Sequence, residues 1–162
     1  QDTPLFRKRM ETLGVPYERQ KLDFGDYSVK CDALSLASAV VIERKFGIDE
    51  LCNCFCKDRK RFEREFERAR KAGAKVYLLI ENASWEAAYN GAYRSKMAPA
   101  SLVASMQAWL ARYDCQLIMC KQETSGKLIH DILYRELKEH LEAMDDGRSG
   151  DYQTTPISET SG

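Results

Sequence analysis

The stretch that constrains this chain most is residues 25–49, GDYSVKCDALSLASAVVIERKFGID. Val40, Val41 and Ile42 form a β-branched run that leads straight into Glu43, Arg44 and Lys45. Such runs suit a pleated surface, so a strand ending at Lys45 is predicted. Side chains alternate faces along a strand, which puts Glu43 and Lys45 on one side and Arg44 on the other. Two residues of rise separate Glu43 from Lys45 by roughly 6 to 7 Å. One further acid within reach would complete a site for a hard divalent cation with an ammonium beside it. Carboxylates hold such an ion, the ion polarises phosphate and water, and a lysine handles charge on the nucleophile or the phosphate. Asp26 is the candidate, because the strand is expected to return antiparallel to the segment around it. A glycine inside a strand pattern marks a bulge or a close backbone approach, and Gly25 fits that pattern. A plain turn is the competing reading of Gly25-Asp26, and the downstream E-R-K tips the balance away from it.

At 162 residues the chain suits one domain with a real core, expected over 1–143. Lysine plus arginine and aspartate plus glutamate both number 25, so nucleic-acid binding cannot rest on bulk charge and needs a local patch. No apolar run approaches the roughly 18 residues of a membrane span, and no signal peptide is visible. The chain begins at Gln1 without a methionine, as a trimmed chain would. Cys52, Cys54 and Cys56 cluster as C-x-C-x-C, while Cys31, Cys115 and Cys120 stand apart. That spacing is a poor match to zinc sites, so reduced, non-ligating thiols and a cytoplasmic location are expected.

Taken in order, residues 4–13 predict a short helix with Asp2 or Thr3 as N-cap and Gly14 as stop. Residues 17–22 predict an extended segment after Pro16. Gly47 and Asp49 open a helical stretch, where Asp49 could ligate through water, cap the helix or hold Arg44; capping or support is favoured. Residues 57–72 predict an amphipathic helix with Phe55, Phe62, Phe66 and Ala69 as its apolar stripe. Arg59/Glu63 and Arg61/Glu65 are its i,i+4 pairs. Residues 57–75 hold nine basic and four acidic side chains. Lys57, Arg59, Lys60 and Arg61 are candidates for phosphate contact, weighed against a solvated helix face. Residues 75–81 predict a buried strand, with Glu81 at its end either facing the cleft or, more commonly, solvated. Residues 84–89 predict a helical piece. The segment 91–96, with Arg94 and Lys96 beside Tyr93, suits a nucleic-acid backbone or an ordinary surface loop. Residues 100–113 predict a helix with Leu102, Met106, Trp109, Leu110 and Tyr113 in the core. A strand over 115–120 follows, then a long helix over 123–141 capped by Thr124 or Ser125. His130 and His140 read as exposed helical histidines. Residues 144–162 predict a disordered polar tail.

Gly25-Asp26-Tyr27, then V-V-I-E-R-K and Asp49, resemble the nuclease domain of the XPF-type, ERCC4-domain structure-specific endonucleases, whose pattern is G-D-x(n)-E-R-K-x(3)-D. The resemblance covers about 5–141, taking in the L-G-V-P-Y-E-R and L-D-F-G-D-Y lead-in, K-D-R-K-R-F-E-R-E and V-Y-L-L-I-E. It places the chain in the PD-(D/E)XK superfamily and implies an α/β restriction-endonuclease-like core, a mixed sheet with helices on both faces. On that likeness Asp26 and Glu43 ligate Mg²⁺, or Mn²⁺ in its place, with the main-chain carbonyl beside Glu43, and Asp49 is a third candidate ligand. Lys45 would orient or deprotonate the attacking water or stabilise the phosphate charge, and Arg44 would tie the strand to Asp49 or to neighbouring structure. Tyr27 joins the candidate DNA contacts. The implied reaction is cleavage of duplex DNA near branches such as flaps and forks, leaving a 5′-phosphate and a 3′-hydroxyl.

The family usually opens with a strand carrying D-x-R-E, whose acid also serves the metal. The first helix here begins almost at Gln1, so that strand is expected to lie upstream or to be lost, leaving the chain weakened or inactive. No helix-hairpin-helix module is legible, so a stand-alone bacterial or phage member is expected, with homodimerisation open. The alternative is a catalytically inactive DNA-binding or partner subunit, which the intact E-R-K argues against. A zinc-dependent interaction module built on the cysteines is the weaker third reading.

Overall fold

A computed structural model describes the backbone of residues 4–12 and 14–160, and the side chains of these up to 146 except at positions 5, 6, 9 and 12. Three strands, β1 (Val40–Lys45), β2 (Lys75–Glu81) and β3 (Gln116–Cys120), form a parallel sheet in that order. Parallel neighbours need crossover connections. Helices α2 (Ile48–Phe55) and α3 (Arg59–Lys71) join β1 to β2, and α4 (Trp85–Asn90) and α5 (Pro99–Tyr113) join β2 to β3. Against one face of the sheet Val41, Leu78 and Ile80 pack with Leu51, Phe62, Leu102 and Trp109. On the other face Val40, Ile42 and Leu79 pack with Met10 of α1 (Pro4–Thr12) and with Ile129 and Leu133 of α6 (Gln122–Thr160). Burial on both faces is why residues 40–42 of β1 and 78–80 of β2 are consecutive apolar residues rather than alternating ones. The expected α/β architecture with helices on both faces is thus present. The three strands are all parallel, and the antiparallel pairing among the described residues is two isolated bridges, Tyr27 to Ile42 of β1 and Lys30 to Ser35.

Several expected bounds move. Residues 17–22 are neither helix nor turn, and none of the described strands pairs with this segment. The expected helix over 57–72 starts at Arg59, and Phe55 belongs to α2. Between the two helices the amides of Cys56 and Asp58 turn back to the carbonyls of Cys52 and Asn53. Gly73, at φ 70, ends α3 in the left-handed conformation that glycine accepts freely. Ser84 caps α4, its Oγ accepting from Ala87 N at 3.0 Å. The last helix opens at Gln122, so Thr124 and Ser125 lie inside its first turn rather than capping it, and Ser125 Oγ donates to Gln122 O. Its backbone runs on to Thr160, past the expected end at 141. The expected tail falls mostly on side chains outside the described residues, as do the cap positions Asp2 and Thr3.

Candidate active site

Asp26 reaches β1 because Gly25 lets it. Gly25 adopts φ 77, and a Cβ there would stand 2.6 Å from Val41 Cβ, so only a residue without a side chain lies this close to the strand. The amides of Asp26 and Tyr27 both donate to Ile42 O, at 2.8 and 3.1 Å, and Ile42 N donates back to Tyr27 O at 2.8 Å. Two residues opposing one is the pattern of a bulge, which re-aims the side chain it carries. The Asp26 carboxylate then accepts from Arg44 N at 2.8 Å, which sets it beside Glu43 on the edge of the sheet.

Glu43 and Lys45 share a face as the alternation required, and their Oε2 and Nζ atoms are 3.0 Å apart. Both lie beneath α3: Glu43 is 4% exposed, and the Lys45 ammonium sits 5.1 Å from the centre of the Phe62 ring. Burial, and after it the negative charge of Asp26, push Glu43 up to about 9, while Lys45 pulls it back and Glu65 pushes it further. Burial opposes the charge on Lys45, but Glu43, Cys54 and Glu50 together hold the amine above its ordinary value. Glu43 Oε1 is buried and has no hydrogen-bond partner among the described residues. A carboxyl crowded this way by other acids takes up a proton or a cation.

Arg44 faces the opposite side and does not meet Asp49. Its Nε and Nη2 donate to the two carboxylate oxygens of Glu81, each at 2.9 Å, inside the protein. This corrects the reading of Glu81 as a solvated strand end: it is 1% exposed. Register explains the pair, since Arg44 lies opposite Leu79 and Glu81 is two residues on, on the same face. Tyr27, expected among the DNA contacts, is half-buried against Arg44; burial pushes its phenol up to about 12 against the pull of that guanidinium.

Asp49 follows the N-cap Gly47 in the first turn of α2, and its Oδ1 accepts from Arg94 N at 2.9 Å and Ser95 N at 2.7 Å. It thus holds a loop rather than capping its own helix or binding Arg44. That loop presents Arg94 and Lys96 as exposed side chains. On α3, Lys60 is exposed and Arg61 leans on Asp58 at 3.6 Å, leaving 78% of its side chain open; Lys57, just before the helix, is exposed too. Arg59 is committed to the fold: it bridges Glu63, donates to Phe55 O and lies over the Trp109 ring. The expected Arg61–Glu65 pair is replaced, because Glu65 turns to the site and accepts from Gly25 N at 3.3 Å. The inward turn of both Glu65 and Glu81 had a sequence signal. Glu65 sits three residues after Phe62 and beside Phe66, within the apolar stripe of its helix, and Glu81 follows the uncharged run of residues 76–80.

The family model of the ERCC4 domain matches residues 2–146. The chain belongs to the ERCC4-domain nuclease family. XPF from Aeropyrum pernix is a solved structure of similar fold, with a TM-score of 0.57 at 20% identity, covering 78% of this chain and 58% of that one. The chain therefore spans a little over half the length of that protein. No curated protein matches the chain. For an ERCC4-domain protein the implied partner of the two carboxylates is a divalent cation, and the residues present fit one. Asp26 and Glu43 are hard oxygen donors, one buried oxygen of Glu43 lacks a partner, and Mg²⁺ keeps several waters of its own. Among the described residues no group of three or more His, Cys, Asp or Glu gathers at ligand spacing.

The other candidate ligands have separate explanations. Cys52, Cys54 and Cys115 lie in the core, and Cys31 and Cys56 are exposed. His130 Nδ1 pairs with Asp131 and its ring stacks on Tyr134, while His140 Nδ1 bonds Glu136 O. No helix among the described residues is long and apolar enough to cross a membrane.

Proposed function

We propose that the chain is a Mg²⁺-dependent endodeoxyribonuclease acting on duplex DNA near branches, with Mn²⁺ as a substitute. The observation that supports this most is the meeting of Asp26, Glu43 and Lys45: Asp26 held by Arg44 N at 2.8 Å, and Glu43 paired to Lys45 at 3.0 Å. A bound cation supplies a polarised phosphate and an acidified water. Asp26 and Glu43 hold it. Lys45, on the same face as Glu43, offsets the negative charge that grows on the phosphorus-bound oxygens. Arg94 and Lys96 on the Asp49-held loop, with Lys57, Lys60 and Arg61, bind the phosphate backbone, and the products carry a 5′-phosphate and a 3′-hydroxyl.

A second reading draws on the burial of Glu43 and the closure of Lys45 onto it, which suit an inactive DNA-binding or partner subunit of the same fold. Labelled flap and linear DNA incubated with and without Mg²⁺ separate the two. Activity predicts cutting of the flap only with the cation, and a loss of about a hundredfold or more in Asp26→Asn and Lys45→Ala. Asparagine keeps an oxygen for Arg44 N, so the fold should survive in the former. Binding without cutting supports the inactive subunit; cutting undiminished in both variants removes the proposed site.

A further inference from the structure

The turn that carries Asp26 is gripped from the α3 side as well as from β1. Glu65 Oε2 accepts from Gly25 N at 3.3 Å, and Arg68 Nε donates to Asp23 O at 3.0 Å. Residues three apart on a helix lie on one face, so one acceptor and one donor from α3 meet a main-chain donor and acceptor two residues apart on the turn. Neither side chain is spent on its own helix in the way sequence spacing suggests. Arg61, the i−4 partner expected for Glu65, goes to Asp58 instead. On the far side the turn has no slack, because Gly25 already lies against Val41. Glu43, Glu65 and Gly25 also line one small cavity of about 10 Å³, so the grip stands directly against the candidate metal carboxylate.

We propose that Glu65 and Arg68 form a clip that positions Asp26, clamping the 23–25 turn against β1 and so setting where its carboxylate stands beside Glu43. They are positioning residues: they act through the main chain and do not touch the substrate. Without Glu65 the part-buried Gly25 N–H loses its acceptor, and the turn can rock about the two bonds that Asp26 makes to Ile42 and Arg44. This inference rests on the function proposed above only where it speaks of the cation; the clip itself is a property of the fold.

The test uses the full chain with Glu65→Ala, Glu65→Gln and Arg68→Ala. Amide hydrogen exchange without metal is followed at Gly25, at Arg44, whose N–H is bonded to the Asp26 carboxylate, and at Leu79 in the middle of the sheet. Glu65→Ala should speed Gly25 and Arg44 roughly tenfold and leave Leu79 unchanged, whereas Glu65→Gln, which keeps an acceptor oxygen, should restore both. Mn²⁺ titration by calorimetry should then show about a tenfold loss of affinity in Glu65→Ala and Arg68→Ala, with Glu65→Gln close to the parent. Unchanged exchange at Gly25 and Arg44 in Glu65→Ala overturns the clip, and so does a uniform rise that includes Leu79. If the parent chain binds no Mn²⁺ and cuts no DNA, it is the functional reading that fails, and the exchange data still decide the clip.

Discussion

Changing Glu81 to Gln tests whether the buried pair on the far side of E-R-K holds the sheet together. The side chains of Arg44 and Glu81 are 3% and 1% exposed and meet through two bonds of 2.9 Å. Removing the negative partner leaves a guanidinium inside the protein facing a neutral amide. Breaking a buried pair from one side costs about 3–5 kcal/mol, because the remaining charge keeps its desolvation penalty. Native domains hold only about 5–15 kcal/mol in all, so the loss is a large share of the total. With a urea slope of about 2 kcal/mol/M, the unfolding midpoint should fall by roughly 1.5–2.5 M. The double change Arg44→Met with Glu81→Leu removes both charges and fills similar volume, and should recover most of the loss. It should also cut flap DNA, since Arg44 faces away from Glu43 and Lys45 and serves the fold rather than the chemistry. Urea denaturation followed by circular dichroism reads the first two outcomes. A midpoint within about 0.5 M of the parent in Glu81→Gln, or a double variant no better than the single, would refute the reasoning.

Gly25→Ala combines left-handed strain of about 1–2 kcal/mol with overpacking against Val41 of about 1–3 kcal/mol, and a melting temperature equal to the parent's would contradict that account. Glu136 lies below its ordinary value: burial works against this, but bonds from Lys75 and Tyr77 outweigh it. Lys75 is raised chiefly by its bond to Glu136. The depressed carboxyl contributes stability above its unfolded value of 4.5 and loses it as pH falls through the folded one. The raised amine contributes below its unfolded value of 10.5 and loses it as pH rises further. Glu136→Gln should therefore lower the urea midpoint at pH 7, by a gap that narrows as pH falls below 4.5; a constant gap would argue against the linkage. Iodoacetamide followed by mass spectrometry should label Cys31 and Cys56 first, and Cys115 last, because burial pushes its thiol up to about 11.

What could be read beforehand follows the range of the forces involved. The β1 strand, the alternation of Glu43 with Lys45, and the stripe of Phe62, Phe66 and Ala69 are local periodicities, and they stand as expected. Gly25 was legible too, because a missing side chain inside a strand pattern has few uses. The pairing around Asp26 was legible only in part: the antiparallel return shrinks to the bridge from Tyr27 to Ile42, because propensity carries no information about how far a partner pairs. The same limit hid the partner of Arg44. Alternation alone sends Arg44 to the face of Val40 and Ile42, and a cation on an apolar face demands a buried anion. The sequence thus posed the requirement 37 residues before Glu81 met it, but only the β1–β2 register says which acid arrives. On the proposed function one strand serves two ends: Glu43 and Lys45 toward chemistry, and Arg44, paired to buried Glu81, toward cohesion. A substitution anywhere in E-R-K will mix the two, so loss of cutting by an Arg44 variant is not by itself a statement about catalysis. The double replacement with Glu81 is what separates them, since it removes the charge pair while leaving the opposite face of the strand intact.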